Sequence, residues 1–181
     1  MTDAAQRLRG ILLFLTALLL FAVLDATAKY LTTFFAVPFM VWVRYLVHFV
    51  FMVATVAPSE GWSLVTTRHP WLMTLRALML VGVTLFMQLA LQTLPLAETS
   101  ALVFTTPLLV AVLAGPLLGE KVSGRVWMAT LIGFIGALLI ARPGGALSGI
   151  GIAYAVAAAL CYARYQILTR RLVGSETQLR L

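Results

Sequence analysis

The sequence predicts an all-α bundle of six transmembrane helices, and three observations carry that prediction. Hydrophobic residues make up 62% of the 181 positions and charged residues 10%, against roughly 45–50% and about 25% in a soluble domain. With a mean hydropathy of +1.01, a water-solvated fold is excluded. Six apolar stretches reach or approach the ~20 residues that a helix needs to cross a ~30 Å hydrocarbon core. The connections between them are too short for a soluble domain, and they hold most of the Lys and Arg.

A short basic segment, 1–10, precedes the first span, predicted over 11–33. Arg7, Arg9, the apolar run from Ile11 and the small residues Ala26-Thr27-Ala28 imitate a secretory signal peptide. The apolar character continues through Tyr30, Leu31, Phe34 and Phe35, which favours a retained span. The second span, 39–57, lies between Pro38 and Pro58, and the third, 72–93, follows Gly61 and Pro70. Pro95 separates it from the fourth, 97–118, which ends at Gly119 and contains Pro107 and Pro116, expected to kink it. The fifth, 126–142, follows Gly124 and stops before Pro143-Gly144, and the sixth covers 149–168. Residues that halt helices thus sit at the predicted boundaries.

Orientation follows from the placement of cations, because cytoplasmic loops are enriched in Lys and Arg. An inside N-terminus puts Arg7, Arg9, Arg68, Lys121, Arg125, Arg170, Arg171 and Arg180 inside and only Arg142 in an outer loop. Both termini are therefore predicted to be cytoplasmic, with Trp62, Trp71 and Trp127 near the inner interface. The net charge of +7 raises nucleic acid as a partner, but these cations are scattered among the gaps rather than gathered on one soluble face. The partners predicted are the lipid bilayer and a small-molecule solute, and no nucleic acid.

Catalysis finds little support. Cys161 is the single cysteine, which rules out an internal disulfide and a cysteine metal site. His48 and His69 have no Ser, Cys or carboxylate set at a spacing suited to a catalytic constellation. No phosphate-binding glycine loop ending in Lys-Ser/Thr occurs. No cofactor, metal or enzyme activity is predicted.

Charges inside a span cost on the order of 2.5–3.5 kcal/mol near its centre, so each one invites an explanation. Asp25 and Lys29 are four residues apart on one helical face, where they can neutralise one another, and Arg44 falls in the same half of the membrane. Two readings stand side by side: a polar cavity for an anionic or zwitterionic solute with Asp25 carrying a proton, or a structural pair beside a snorkelling arginine. Thr84, Gln88 and Gln92 form a polar stripe on the third span, suited to pore lining or to interhelical hydrogen bonds. Glu98 opens the fourth span as a helix-start acid or a gate residue. The substrate-binding or coupling candidates are thus Asp25, Lys29, Arg44, Thr84, Gln88, Gln92 and Glu98. Arg76 and Arg164 are expected to snorkel from span ends. Gly133, Gly136, Ala153 and Ala157 are expected to form smooth packing faces.

These residues also carry a resemblance. Arg76-Ala77-Leu78, Leu94-Pro95-Leu96-Ala97-Glu98, Thr106-Pro107-Leu108-Leu109, Leu118-Gly119-Glu120-Lys121-Val122 and the run Gly133 to Ile140, in that order, resemble the EamA domain of the drug/metabolite transporter superfamily. The resemblance implies ten helices in two inverted five-helix repeats that move small metabolites by alternating access. On that reading 11–142 is the first repeat, and 143–181 begins the second with one helix and a cytoplasmic tail, the remaining helices being absent. A shift of 141 positions pairs Gly10 with Gly151, Leu19 with Leu160 and Lys29 with Arg170. The resemblance further implies a secondary transporter of amino-acid, nucleoside-like or drug-like solutes in a bacterial-type inner membrane, driven by protons or by exchange. The Leu-Pro-Leu-Ala-Glu turn is similar to that of members that include S-adenosylmethionine uptake carriers, and other exporters share it. The alternative is a truncated, non-transporting subunit that needs a partner chain, and a dimer of the chain with itself is a further expectation.

Overall fold

A computed structural model describes residues 3–55, 58, 69–119, 122–141 and 148–173. Arg68 and Trp62 of the second connection, Glu120-Lys121, Arg142 with Pro143-Gly144, and the tail with Arg180 lie outside the described residues. The rest forms seven α-helices: α1 (Asp3–Leu31), α2 (Val37–Thr55), α3 (Pro70–Thr93), α4 (Leu96–Val103), α5 (Thr106–Leu118), α6 (Gly124–Ala141) and α7 (Gly149–Leu172). Among the described residues five stretches are long and apolar enough to cross a bilayer: Gln6–Leu31, Val37–Thr55, Pro70–Thr93, Leu96–Gly115 and Gly149–Leu172. The apolar stretch Gly124–Gly136 in α6 is shorter.

The fourth predicted span is interrupted at Phe104-Thr105, which keep right-handed helical angles, so that α4 and α5 follow one another within the single apolar stretch Leu96–Gly115, as a kink at Pro107 would have it. Pro107 has no N–H to donate to the carbonyl of Val103, and its ring crowds the preceding turn. The Thr106 hydroxyl donates to that carbonyl instead, at 2.7 Å, and the Thr105 hydroxyl donates to Leu102 O at 2.6 Å. The break therefore leaves its backbone acceptors satisfied inside an apolar layer, as lipid demands. α5 ends where Gly119 takes the left-handed conformation, φ 70°, and its N–H returns to Gly115 O. At the start of α7 the Ser148 hydroxyl accepts from Gly151 N.

The core is the antiparallel pair of α3 and α7. Arg76 meets Tyr165 and Thr169, Phe86 stacks on Tyr154 with ring centroids 6.4 Å apart, and Gly151 packs against Thr93 and Leu94. Small residues set the closeness. A Cβ on Gly151 would lie 2.5 Å from Thr93 Oγ1 and 2.7 Å from Leu94 Cγ, and one on Gly82 would lie 3.1 Å from Cys161 Sγ. Ala155, Ala158, Ala159 and Ala163 of α7 and Ala90 of α3 are buried with them. This corrects the expected packing faces. Among the described residues Gly133 and Gly136 have nothing within 4 Å of a built Cβ, and Ala153 is exposed. Two residues are about 200° of helix, so the face of α7 pressed on α3 is nearly opposite the one that Ala153 marks.

α1 stands at the edge. Leu12, Phe14, Leu19 and Phe21 on different sides of it are all exposed, and it joins the bundle through α3 and α4 near its C-terminal end. A helix apolar all round and exposed all round is at rest only in a hydrocarbon solvent.

Candidate functional site

Lys29 is where the sequence reading changes most. Pro95 cannot donate to Leu91 O, which leaves that carbonyl at the end of α3 without a helical partner. The Lys29 ammonium donates to Leu91 O and, at 2.8 Å, to Leu94 O. A cation at a helix C-terminus also complements the helix dipole. Lys29 therefore ties α1 to the α3–α4 corner rather than closing an ion pair with Asp25. Asp25 is partly buried one turn earlier, and the charge that acts on it is that of Arg44.

Arg44 belongs to a cavity of about 400 Å³ between α1, α2 and α3. Leu24, Thr27, Ala28 and Leu31 of α1, Phe39, Met40 and Val43 of α2, and Gln88 of α3 complete most of its wall, with Phe35 at the connection. The wall is overwhelmingly apolar. Its polar groups are Arg44, Gln88 and Thr27, whose hydroxyl is already bonded to Val23 O. Gln88 is only 4% exposed, and its Oε1 has no hydrogen-bond partner among the described residues. A buried amide oxygen left unpaired costs about 1–3 kcal/mol, so it calls for an account.

One turn away, Thr84 is buried and its hydroxyl lies 3.0 Å from Tyr45 Oη, which ties α2 to α3 below the cavity. The Thr84–Gln88–Gln92 stripe thus divides: Thr84 packs between helices, Gln88 reaches the cavity wall, and Gln92 is exposed. Glu98 lies in the first turn of α4, with Oε2 buried and unpartnered among the described residues. It does not line this cavity. Of the seven candidates, then, the fold brings Arg44 of α2 and Gln88 of α3 to one cavity with Asp25 and Thr84 close by, and sets Lys29, Gln92 and Glu98 apart.

Arg76 engages α7. Its Nε donates to Thr169 Oγ1 and a terminal nitrogen to Tyr165 Oη, both at 2.9 Å, and its guanidinium carbon lies 4.8 Å from the Tyr165 ring centroid. Tyr45, Tyr165 and Thr169 are the polar contacts that sequence reasoning missed. A tyrosine or threonine in an apolar span gives no local sign of its partner.

Apolar helices of spanning length around a core of small residues define an integral membrane protein. The comparisons agree. Residues 8–142 match the EamA-like transporter family, and the chain belongs to it. The chain is 30% identical over 175 residues to a riboflavin transporter of Vibrio cholerae, covering 94% of this chain and 58% of that protein. It is 28% identical over 183 residues to an S-adenosylmethionine uptake transporter of Rickettsia prowazekii, covering 99% and 61%. A riboflavin transporter of Rhizobium johnstonii is 32% identical over 117 residues, 64% of this chain and 38% of that protein. The chain thus spans about three-fifths of the length of the first two. No solved structure matches it significantly.

Proposed function

We propose that this chain forms part of a secondary transporter that carries a small organic metabolite by alternating access, and that the cavity between α1, α2 and α3 holds the solute. One observation carries the reading. In a wall otherwise apolar, Arg44 and the unpartnered Gln88 amide both border a space of about 400 Å³, within the roughly 300–1,000 Å³ of small-molecule sites. Arg44 offers a cation to an acidic or carbonyl group, Gln88 reads a polar edge, and the aromatic rings of Phe35 and Phe39 accept a flat apolar body. Asp25, a partly buried acid near Arg44, is the group to exchange a proton with the solute or the medium.

Supporting the repeat arrangement, the family match ends at residue 142 and α7 follows it. On this reading α1 to α6 are one repeat, with α4 and α5 its broken fourth span, and α7 opens an inverted second. On this reading both ends lie on the cytoplasmic side of a bacterial-type inner membrane, which the enrichment of Lys and Arg in the inner segments supports. Relatives named for riboflavin and S-adenosylmethionine make those two the first solutes to try. The test is uptake of each, labelled, by cells lacking their own carriers and expressing wild type, Gln88→Ala or Arg44→Gln at matched membrane levels. Uptake that rises with wild type and falls with either variant supports the reading. Uptake by wild type that both variants leave unchanged excludes this cavity.

A further inference from the structure

The opposite end of the bundle carries a different combination. A groove of about 310 Å³ runs between α3, α5 and α7, walled by Leu72, Leu75 and Met79 of α3, Leu117 of α5 and Ile167 of α7, with Arg164 and Arg171 on it. Both arginines are exposed. Arg171 is held across the groove by a hydrogen bond from its guanidinium to Leu117 O, so its charge is fixed at the mouth. Arg76 lies on the same α3–α7 seam, engaged with Tyr165 and Thr169. The acids whose surroundings are described, Asp25 and Glu98, are both toward the other end. Among the described residues the charges lining this groove are both cationic, while its floor is hydrocarbon-like.

We propose that this groove binds one anionic phospholipid, its phosphate between Arg164 and Arg171 and an acyl chain along Leu72, Leu75 and Met79. The occupant is chosen by complementarity. Planar guanidinium groups pair with phosphate oxygens through two parallel N–H···O bonds. Exposed arginines with an apolar wall between them match a molecule that is anionic at one end and aliphatic at the other. A soluble anion would leave the apolar wall unfilled, and a zwitterionic lipid would set its own cation against the arginines.

The experiment uses the purified chain in detergent micelles, with phosphatidylglycerol or phosphatidylcholine of identical acyl chains and retained lipid counted by native mass spectrometry. Wild type is expected to retain one phosphatidylglycerol, preferred by about tenfold, since each arginine near an anionic headgroup adds to the attraction. Arg164→Gln/Arg171→Gln loses the preference. Arg7→Gln/Arg9→Gln, which removes the same charge from exposed positions on α1, keeps it. Leu75→Trp fills the groove with both arginines in place and lowers retention, which covers the case of a glutamine variant that fails to fold. Equal retention of the two lipids, or retention undiminished by Leu75→Trp, overturns the proposal. Complete displacement by inorganic phosphate also overturns it, because a free anion would then be the ligand. Absence of any retained lipid overturns it in favour of a protein segment covering the groove.

Discussion

Replacing Lys29 with methionine keeps most of the side chain's length and removes its N–H donors. Two carbonyls lose their partner, at Leu91 and Leu94, whose residues are 1% and 2% exposed. Leu91 O has no substitute donor in its own helix, because residue 95 is a proline. Hydrogen bonds to charged groups contribute about 1.5–3 kcal/mol, and a buried acceptor left unmet costs about 1–3 kcal/mol. Lys29 is only partly buried, which lowers the sum, so Lys29→Met should destabilise the protein by roughly 2–4 kcal/mol. The assay is reversible unfolding in mixed micelles, followed by circular dichroism. Lys29→Arg, which keeps a cation and N–H donors, should recover at least half of the loss. A Lys29→Met variant within about 0.5 kcal/mol of wild type, inside the range of ordinary surface substitutions, refutes the capping role and returns Lys29 to the solute candidates.

Gly151→Ala places a methyl group 2.5 Å from Thr93 Oγ1 and 2.7 Å from Leu94 Cγ, so α7 must move from α3, at about 1–3 kcal/mol in the same assay. Gly133→Ala, with open space around it, should leave stability unchanged or slightly improved. Arg76→Met removes two interhelical hydrogen bonds and a ring contact, which should cost about 2–3 kcal/mol. Arg76→Lys should recover less than half, since an ammonium does not reproduce the guanidinium fork. Asp25→Asn should reduce transport or flatten its pH dependence with membrane insertion intact. Uptake kinetics unchanged across pH in that variant remove Asp25 from the mechanism.

The spans were legible because length and apolarity are local properties. The third was predicted over 72–93 and forms Pro70–Thr93, and the sixth, predicted over 149–168, runs Gly149–Leu172. Gly119 and Ser148 act as helix terminators that their residue types announce. What faces what was not legible. In a soluble helix the apolar stripe marks the core, but lipid is as apolar as a packed interface, so α7 gives no hydropathy contrast between its Ala155 face and its Ala153 face. The close packing at Gly151 and Gly82 depends on residues tens of positions away. The Asp25–Lys29 spacing was a sound local inference that a long-range demand overrode: a proline far along the chain leaves a carbonyl open, and Lys29 reaches it. The interruption of the fourth span was half visible in Pro107, while the two threonines whose hydroxyls meet the carbonyls of Leu102 and Val103 there read as ordinary polar residues. Within the candidate site, Arg44 and Gln88 stood out as polar groups in apolar runs, and only the tertiary fold brings them to one cavity.

Occupancy of the cavity between α1, α2 and α3 by solute can be read directly. Met40 lines that cavity, and Cys161 is the sole native cysteine, so Met40→Cys in a Cys161→Ala background gives a single reporter thiol there. Its rate of labelling by a small maleimide in membranes should fall several-fold when a transported solute is present at saturation, and Gln88→Ala should weaken that protection. A labelling rate that does not change with any solute the protein transports contradicts the account.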